Sequence, residues 1–213
     1  MASGVDSVTP ANSSYGGTDL AAYVESYNMQ HTGTTSVFWG RYFAGLPDKK
    51  FIPMNYEGTT NIQQECDKMK AQGIRWIVPI NSPQGVASNG ASVRIAGTYS
   101  DGYADGQAAC KAVSDTITAS GGRLQLPGND YLDIYLDVEP HFPFSQDYWN
   151  GWSDAVNNNA GPNNSYPFYS ACYCDPADGQ PCVVSDNATN WPFDVIWANE
   201  PSTMCGGCSI SPA

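Results

Sequence analysis

The segment Tyr131-Leu132-Asp133-Ile134-Tyr135-Leu136-Asp137-Val138-Glu139-Pro140 holds the richest chemistry in the chain. Side chains alternate along a strand, so Leu132, Ile134, Leu136 and Val138 would share one face. Asp133, Tyr135, Asp137 and Glu139 would share the other. Acids at i and i+2 have their Cα atoms about 6.5 to 7 Å apart, so each feels the other's charge. One of the two can then be kept protonated near neutral pH. A general acid beside an ionised partner is what glycosidic bond cleavage needs. The plainer reading is a sheet end whose acids meet solvent or bind a structural ion.

Other chemistries find less support. His31 and His141 are the only histidines, which excludes a multi-histidine metal centre. A Ser-His-Asp triad would need His141, and no nucleophile elbow accompanies it. No phosphate-cradling glycine motif stands ahead of a helix, so nucleotide chemistry is not expected. Cys172, Cys174, Cys182, Cys205 and Cys208 crowd the end of the chain. Four thiolates could satisfy a zinc site, but the spacing matches no familiar knuckle. Disulfides are the preferred reading, and no metal or cofactor is expected. Cys66 and Cys110 fall on apolar helix stripes, where inert thiols are the default, although a bridge between them is possible.

The elements that must position the acids alternate. Strands are expected at 4–8, 36–43, 74–80, 131–138, 166–171 and 194–198. Between them come helices: one behind a cap at Thr18 with Leu20, Tyr23, Val24 and Tyr27 on its inner stripe, and one opened by a Thr60/Gln63 capping box and burying Ile62, Cys66 and Met69. A third starts near Asp101 and buries Ala109, Ala112, Val113 and Ile117; a fourth, capped by Ser145, carries Trp149, Trp152 and Val156. The long polar stretch 81–100 is loop. This alternation argues for parallel strands joined by right-handed crossovers, a TIM-like (β/α) barrel. Six strands are read where eight are needed, so the barrel is irregular or incomplete on its C-terminal side, unless 51–55 and 209–212 supply the missing pair. In a barrel Asp137 and Glu139 would stand at the C-terminal mouth.

Several short pieces in this order form a resemblance: Gly4-Val5-Asp6, Arg41-Tyr42-Phe43, Val78-Pro79-Ile80, Asp105-Gly106-Gln107-Ala108-Ala109 and Ile134-Tyr135-Leu136-Asp137-Val138-Glu139. Together they look like the glycoside-hydrolase-like domain called domain-of-unknown-function family 1906, related to the family 25 lysozymes that cut peptidoglycan. Phe168-Tyr169-Ser170 and Val195-Ile196-Trp197-Ala198 are similar to the fifth and sixth strands of those lysozymes. The length suits a single domain over 1–213, glycoside-hydrolase-like by this resemblance, and the cysteine positions give it a Cys-rich part at 172–208. It implies Glu139 as proton donor, Asp137 as stabiliser of the oxocarbenium-like state or of an acetamido group, and Asp6 as the residue that tunes them. Arg41, Tyr42, Tyr135, Tyr169, Asp194 and Trp197 are the substrate-binding candidates. The chain departs from the lysozymes in ending on Cys205-Gly206-Gly207-Cys208 instead of a strand with Trp-Gln-Tyr and a further Asp.

Composition bounds the partners. With 9 Lys plus Arg against 21 Asp plus Glu, the charge of -12 disfavours nucleic acid, whose binding needs clustered cations. No run approaches the roughly 20 apolar residues of a membrane span. Charged residues make up 14%, so Asn, Ser, Thr, Gly and Tyr cover the surface, a habit of secreted and carbohydrate-active proteins. Met1 to Gly4 is no leader, so a secreted protein would have lost one before this numbering. The expectation is a secreted hydrolase of polysaccharide, peptidoglycan first. The alternative is a non-catalytic glycan or cell-wall binding module on the same barrel; the oligomeric state is open.

Overall fold

The computed structural model describes residues 4–7, 10–15, 17–36, 38–43, 59–74, 76–83, 94–123, 131–138, 143–174 and 196–198. Its elements are β1 (Gly4–Ser7), β2 (Ser14–Tyr15), β3 (Thr18–Asp19), α1 (Leu20–Thr32), β4 (Phe38–Tyr42), α2 (Thr59–Ala71), β5 (Trp76–Asn81), α3 (Tyr99–Ala119), β6 (Leu132–Val138), α4 (Gln146–Asn157), β7 (Phe168–Cys174) and β8 (Ile196–Ala198). Short 3-10 turns stand at Arg94–Ala96 and Pro162–Asn164. β2 and β3 form a small antiparallel hairpin.

The other six strands form one sheet in the order β1-β4-β5-β6-β7-β8, with every pair parallel. Strand order follows chain order without a reversal, so successive right-handed crossovers stack their helices on one side. Among the described residues no ladder joins β8 back to β1. This is an α/β fold with a parallel sheet, as the alternation of elements suggested.

One core lies between sheet and helices. Leu132, Ile134, Leu136 and Val138 of β6 meet Trp39, Ile77, Phe168 and Cys172 of the neighbouring strands there. Ala21 of α1, Ile62, Cys66 and Met69 of α2, Ala109 and Val113 of α3, and Trp149, Trp152 and Val156 of α4 close over them. Ile117 is only half-buried. In α1 Leu20 and Val24 pack against the core as expected and Ala21 and Glu25 are buried with them, while Tyr23 and Tyr27 are exposed. The Glu25 carboxylate turns inward to accept the Ser36 N–H at 2.7 Å, a polar contact that hydrophobic spacing does not foresee.

The caps explain where the helices begin. Asp19, not Thr18, caps α1: its carboxylate accepts the Ala22 N–H at 2.9 Å, while Thr18 belongs to β3. Thr60 lies inside α2 rather than at its cap. Thr98 and Asp101 form a reciprocal capping box that starts α3 two residues before Asp101. Ser145 caps α4 as expected. Gly33 ends α1 with φ 70°, a conformation costly for a residue with Cβ.

α3 and α4 touch almost backbone to backbone. A Cβ on Gly102 would stand 2.0 Å from the Tyr148 carbonyl oxygen, and one on Gly151 2.0 Å from that of Tyr99. Asp105 and Gly106 serve the same junction. Arg94 forks onto Asp105 at 2.6 and 2.8 Å, Tyr148 donates its hydroxyl to Asp105 at 2.8 Å, and Gly106 faces the Trp152 backbone. Burial and then the Asp105 carboxylate push the Tyr148 phenol far above its ordinary pKa. In the Asp-Gly-Gln-Ala-Ala piece Asp105, Gly106 and the buried Ala109 thus serve helix packing, while Gln107 and Ala108 are exposed.

Candidate functional site

In-register neighbours in a parallel sheet share a side of the pleat. The side opposite the helices is therefore built of rows. Tyr42 pairs with Ile80, Ile80 with Tyr135, and Tyr135 with Ala171. One row nearer the strand C-termini, Asp137 pairs with Tyr173, which in turn is in register with Trp197. One row the other way, Asp133 pairs with Tyr169. Tyr42, Ile80, Ala171 and Tyr173 are buried yet stand outside the helix-side core, as this alternation requires.

Asp137 is 2% exposed at the C-terminal end of its strand, with Tyr173 equally buried beside it. Asp133 and Tyr135 are half-buried. Burial, and after it the charges of Asp133 and Tyr131, push the Tyr135 phenol above its ordinary pKa. It stays protonated at neutral pH and can donate a hydrogen bond. Lys68 and Lys70 are on α2, Lys111 is on α3, and Arg94 and Arg123 flank α3.

Arg41 is corrected by the structure: it is not available to a cleft beside Asp137. It alternates onto the helical side of β4, next to Trp39, where its side chain and that of Glu65 are both fully buried. Arg41 Nε donates to Glu65 Oε1 at 2.6 Å and Nη2 to Oε2 at 3.3 Å; Glu65 Oε1 also accepts the Ala11 N–H at 2.9 Å. Its partner was legible in principle, since Glu65 and Cys66 lie together on α2. Hydropathy alone gave no reason to bury a glutamate.

Tyr169 lies at the N-terminal end of β7, four residues before Tyr173. Four strand residues span about 13 Å, so Tyr169 is at the other end of the sheet from Asp137. Tyr173 takes the place expected of it. Ending the fifth strand at Ala171 hid that residue, although Tyr169-Ser170-Ala171-Cys172-Tyr173 continues the alternation. Tyr42 and Tyr135 are on the same side as Asp137. The backbone of Asp6 is in register with Gly40, and Gly40 with Val78. Three inter-strand steps separate β1 from β6, about 14 Å in a flat sheet, which only curvature would shorten. Glu139, Asp194 and the side chains of Asp6 and Trp197 lie outside what is described, as do 51–55 and 209–212.

Among the described residues, no group of three or more His, Cys, Asp or Glu side chains gathers as for a metal ion. Cys66 and Cys110 are buried free thiols rather than a bridge, each pushed up to about 12, chiefly by burial. Cys172 is buried in the core; Cys182, Cys205 and Cys208 lie outside the described residues. No helix among those residues is long and apolar enough to cross a membrane.

Protein-family models yield no match to the chain, and neither do the curated proteins. Among solved structures it is similar to the crystal structure of an uncharacterized B. stearothermophilus protein, at 18% identity and a TM-score of 0.51. The match covers 99% of this chain and 82% of that one. At that identity the likeness speaks for the fold alone.

Proposed function

We propose that the chain is a secreted glycoside hydrolase on a (β/α) barrel, irregular at its C-terminal side, which cleaves a polysaccharide, peptidoglycan first, with carboxylates. The observation that carries this reading is Asp137. It is an acid almost wholly removed from water, on the side of a parallel sheet away from its helices, at the strand end where barrels keep their chemistry. A monotonic order of parallel strands is also the winding a barrel uses. Rolled into a barrel, the sheet would bring Asp6 toward the same mouth.

In this reading Glu139 protonates the glycosidic oxygen as the bond to the anomeric carbon breaks; water then adds to that carbon and gives up a proton to the Glu139 carboxylate, which restores the acid. The Asp137 carboxylate stabilises the positive charge that develops on the sugar, or holds an acetamido group that does so. Asp6 tunes the pair and holds substrate. Tyr42 and Tyr135 line the approach, and the Tyr135 phenol donates to a sugar hydroxyl.

Release of soluble fragments from dye-labelled peptidoglycan tests the proposal. The native chain should release them. Glu139→Gln, with unchanged circular dichroism, should lose at least about a hundredfold in rate, the scale of general acid catalysis. No release by the native chain would discard the hydrolase. The second reading, a glycan-binding module without catalysis, draws on Arg41, a cleft candidate given over to Glu65. It would be favoured by cell-wall binding that Glu139→Gln leaves unchanged and that yields no product.

A further inference from the structure

The row that holds Asp137 has a further member one residue beyond the end of β5. Ile80 is in register with Tyr135 and Asn81 with Leu136, and β5 stops there. Ser82 comes next and precedes Pro83, whose ring disfavours helical backbone in the residue before it. The chain therefore keeps its strand direction for one more step. Alternation turns Asn81 toward the helices and Ser82 to the side of Ile80 and Tyr42. The two side chains fit this division. Asn81 is buried and accepts the Trp152 indole N–H of α4 at 3.4 Å. Ser82 is 5% exposed, and its hydroxyl makes no hydrogen bond to another described residue.

We infer that Ser82 is a further substrate-contacting residue of the Asp137 site, its hydroxyl donating to an oxygen of the sugar on which Asp137 acts. In the strand order β5, β6, β7 the row reads Ser82, Asp137, Tyr173. Adjacent strands lie about 4.8 Å apart, so side chains of one row reach the same sugar ring. An ionised carboxylate only accepts hydrogen bonds, whereas a serine hydroxyl also donates. Sugar oxygens that carry no proton, such as an acetamido carbonyl, need a donor that Asp137 cannot supply, and Ser82 supplies it. A buried hydroxyl without a partner costs stability, and a bound sugar removes that cost. The contrast with Asn81 is the point: of two neighbours buried alike, one is given over to a helix and the other faces the acid.

The inference rests on the saccharide part of the proposed function but not on its acid chemistry, and the test keeps them apart. Purified peptidoglycan is the probe, sedimented with the full chain in the Glu139→Gln background so that none is consumed. Ser82→Ala in that background should weaken binding by about fivefold or more, the scale of one hydrogen bond, with the urea midpoint unchanged. Ser82→Gly also lacks the hydroxyl and gives the same reading if Ser82→Ala fails to fold. A smaller loss of binding overturns the inference. So does a loss accompanied by a lower urea midpoint, which would make Ser82 a structural residue, and so does failure of the Glu139→Gln chain to sediment with peptidoglycan. Fragment release by the native chain separates the two claims. Release together with binding that Ser82→Ala leaves unchanged sinks this inference alone. Binding that depends on Ser82, without release, sinks the hydrolase alone.

Discussion

On the helical side of the sheet Arg41 meets Glu65 at 2.6 Å with both side chains fully buried. On the other side Asp137, equally withdrawn from water, ends β6 in a row with Tyr173 and Trp197. The first arrangement matches charge with charge and ties β4 to α2 and, through Ala11, to the chain ahead of the hairpin. Its removal should be felt as lost stability. The second gathers acid and phenol groups on the side of the sheet away from the helices. Under the proposed function Asp137 acts on substrate, so its removal should be felt as lost activity.

The sharpest way to break this contrast is Glu65→Gln. It leaves the Arg41 guanidinium buried without its counter-charge, and the expected loss is about 3 to 5 kcal/mol in urea unfolding. Asp137→Asn should change the same quantity by less than about 1 kcal/mol, or raise it. Equal losses for the two variants would erase the distinction. Next in size is Gly151→Ala. Its Cβ would press on the Tyr99 carbonyl and the Tyr103 N–H, both backbone, so α3 and α4 must separate at a cost of about 1 to 3 kcal/mol. A thermal melt unchanged from the native chain would mean that this junction yields freely.

Ser145→Ala should cost about 1 kcal/mol. Ser145 accepts the Tyr148 N–H at 3.1 Å and donates to the Gly97 carbonyl at 2.6 Å, and both bonds are lost together. The smallest effect concerns pH. Burial works against the Asp19 carboxylate, but the Ala22 N–H and Lys68 outweigh it, so its pKa is lowered. The Thr98 N–H and hydroxyl lower that of Asp101. Both groups bind protons more weakly folded than unfolded. Their contribution is complete above the unfolded value near 4 and disappears as pH falls through the lower folded value. Asp101→Asn should flatten the acid limb of the stability curve slightly and leave the neutral region's slope unchanged.

Much of the fold could be read from the chain. β6 shows why: strict alternation over Leu132 to Val138 fixes which residues enter the core, whatever else surrounds them. Ser145 with Trp149 and Trp152 announced α4 in the same way. What stayed hidden depends on partners distant in sequence. Arg41 reads as a cleft residue until Glu65 is brought to it from 24 positions away. Glu25 is polar by type yet faces inward because the buried Ser36 N–H, two residues ahead of β4, needs an acceptor. Tyr169 and Tyr173 are two repeats of the pleat apart, and only register with Asp133 and Asp137 shows which end of the sheet each occupies. In the candidate site, the sharing of one side by Asp133, Tyr135 and Asp137 was legible, whereas the depth of each was not. Depth depends on neighbours such as Tyr173 of β7, not on β6 itself.

The most direct test pairs two readings on one variant: peptidoglycan turnover and urea midpoint of Asp137→Asn beside the native chain. The account expects turnover to fall by about a hundredfold or more while the midpoint stays or rises. Native turnover together with a collapsed midpoint would contradict it, and would make Asp137 a structural group like Glu65.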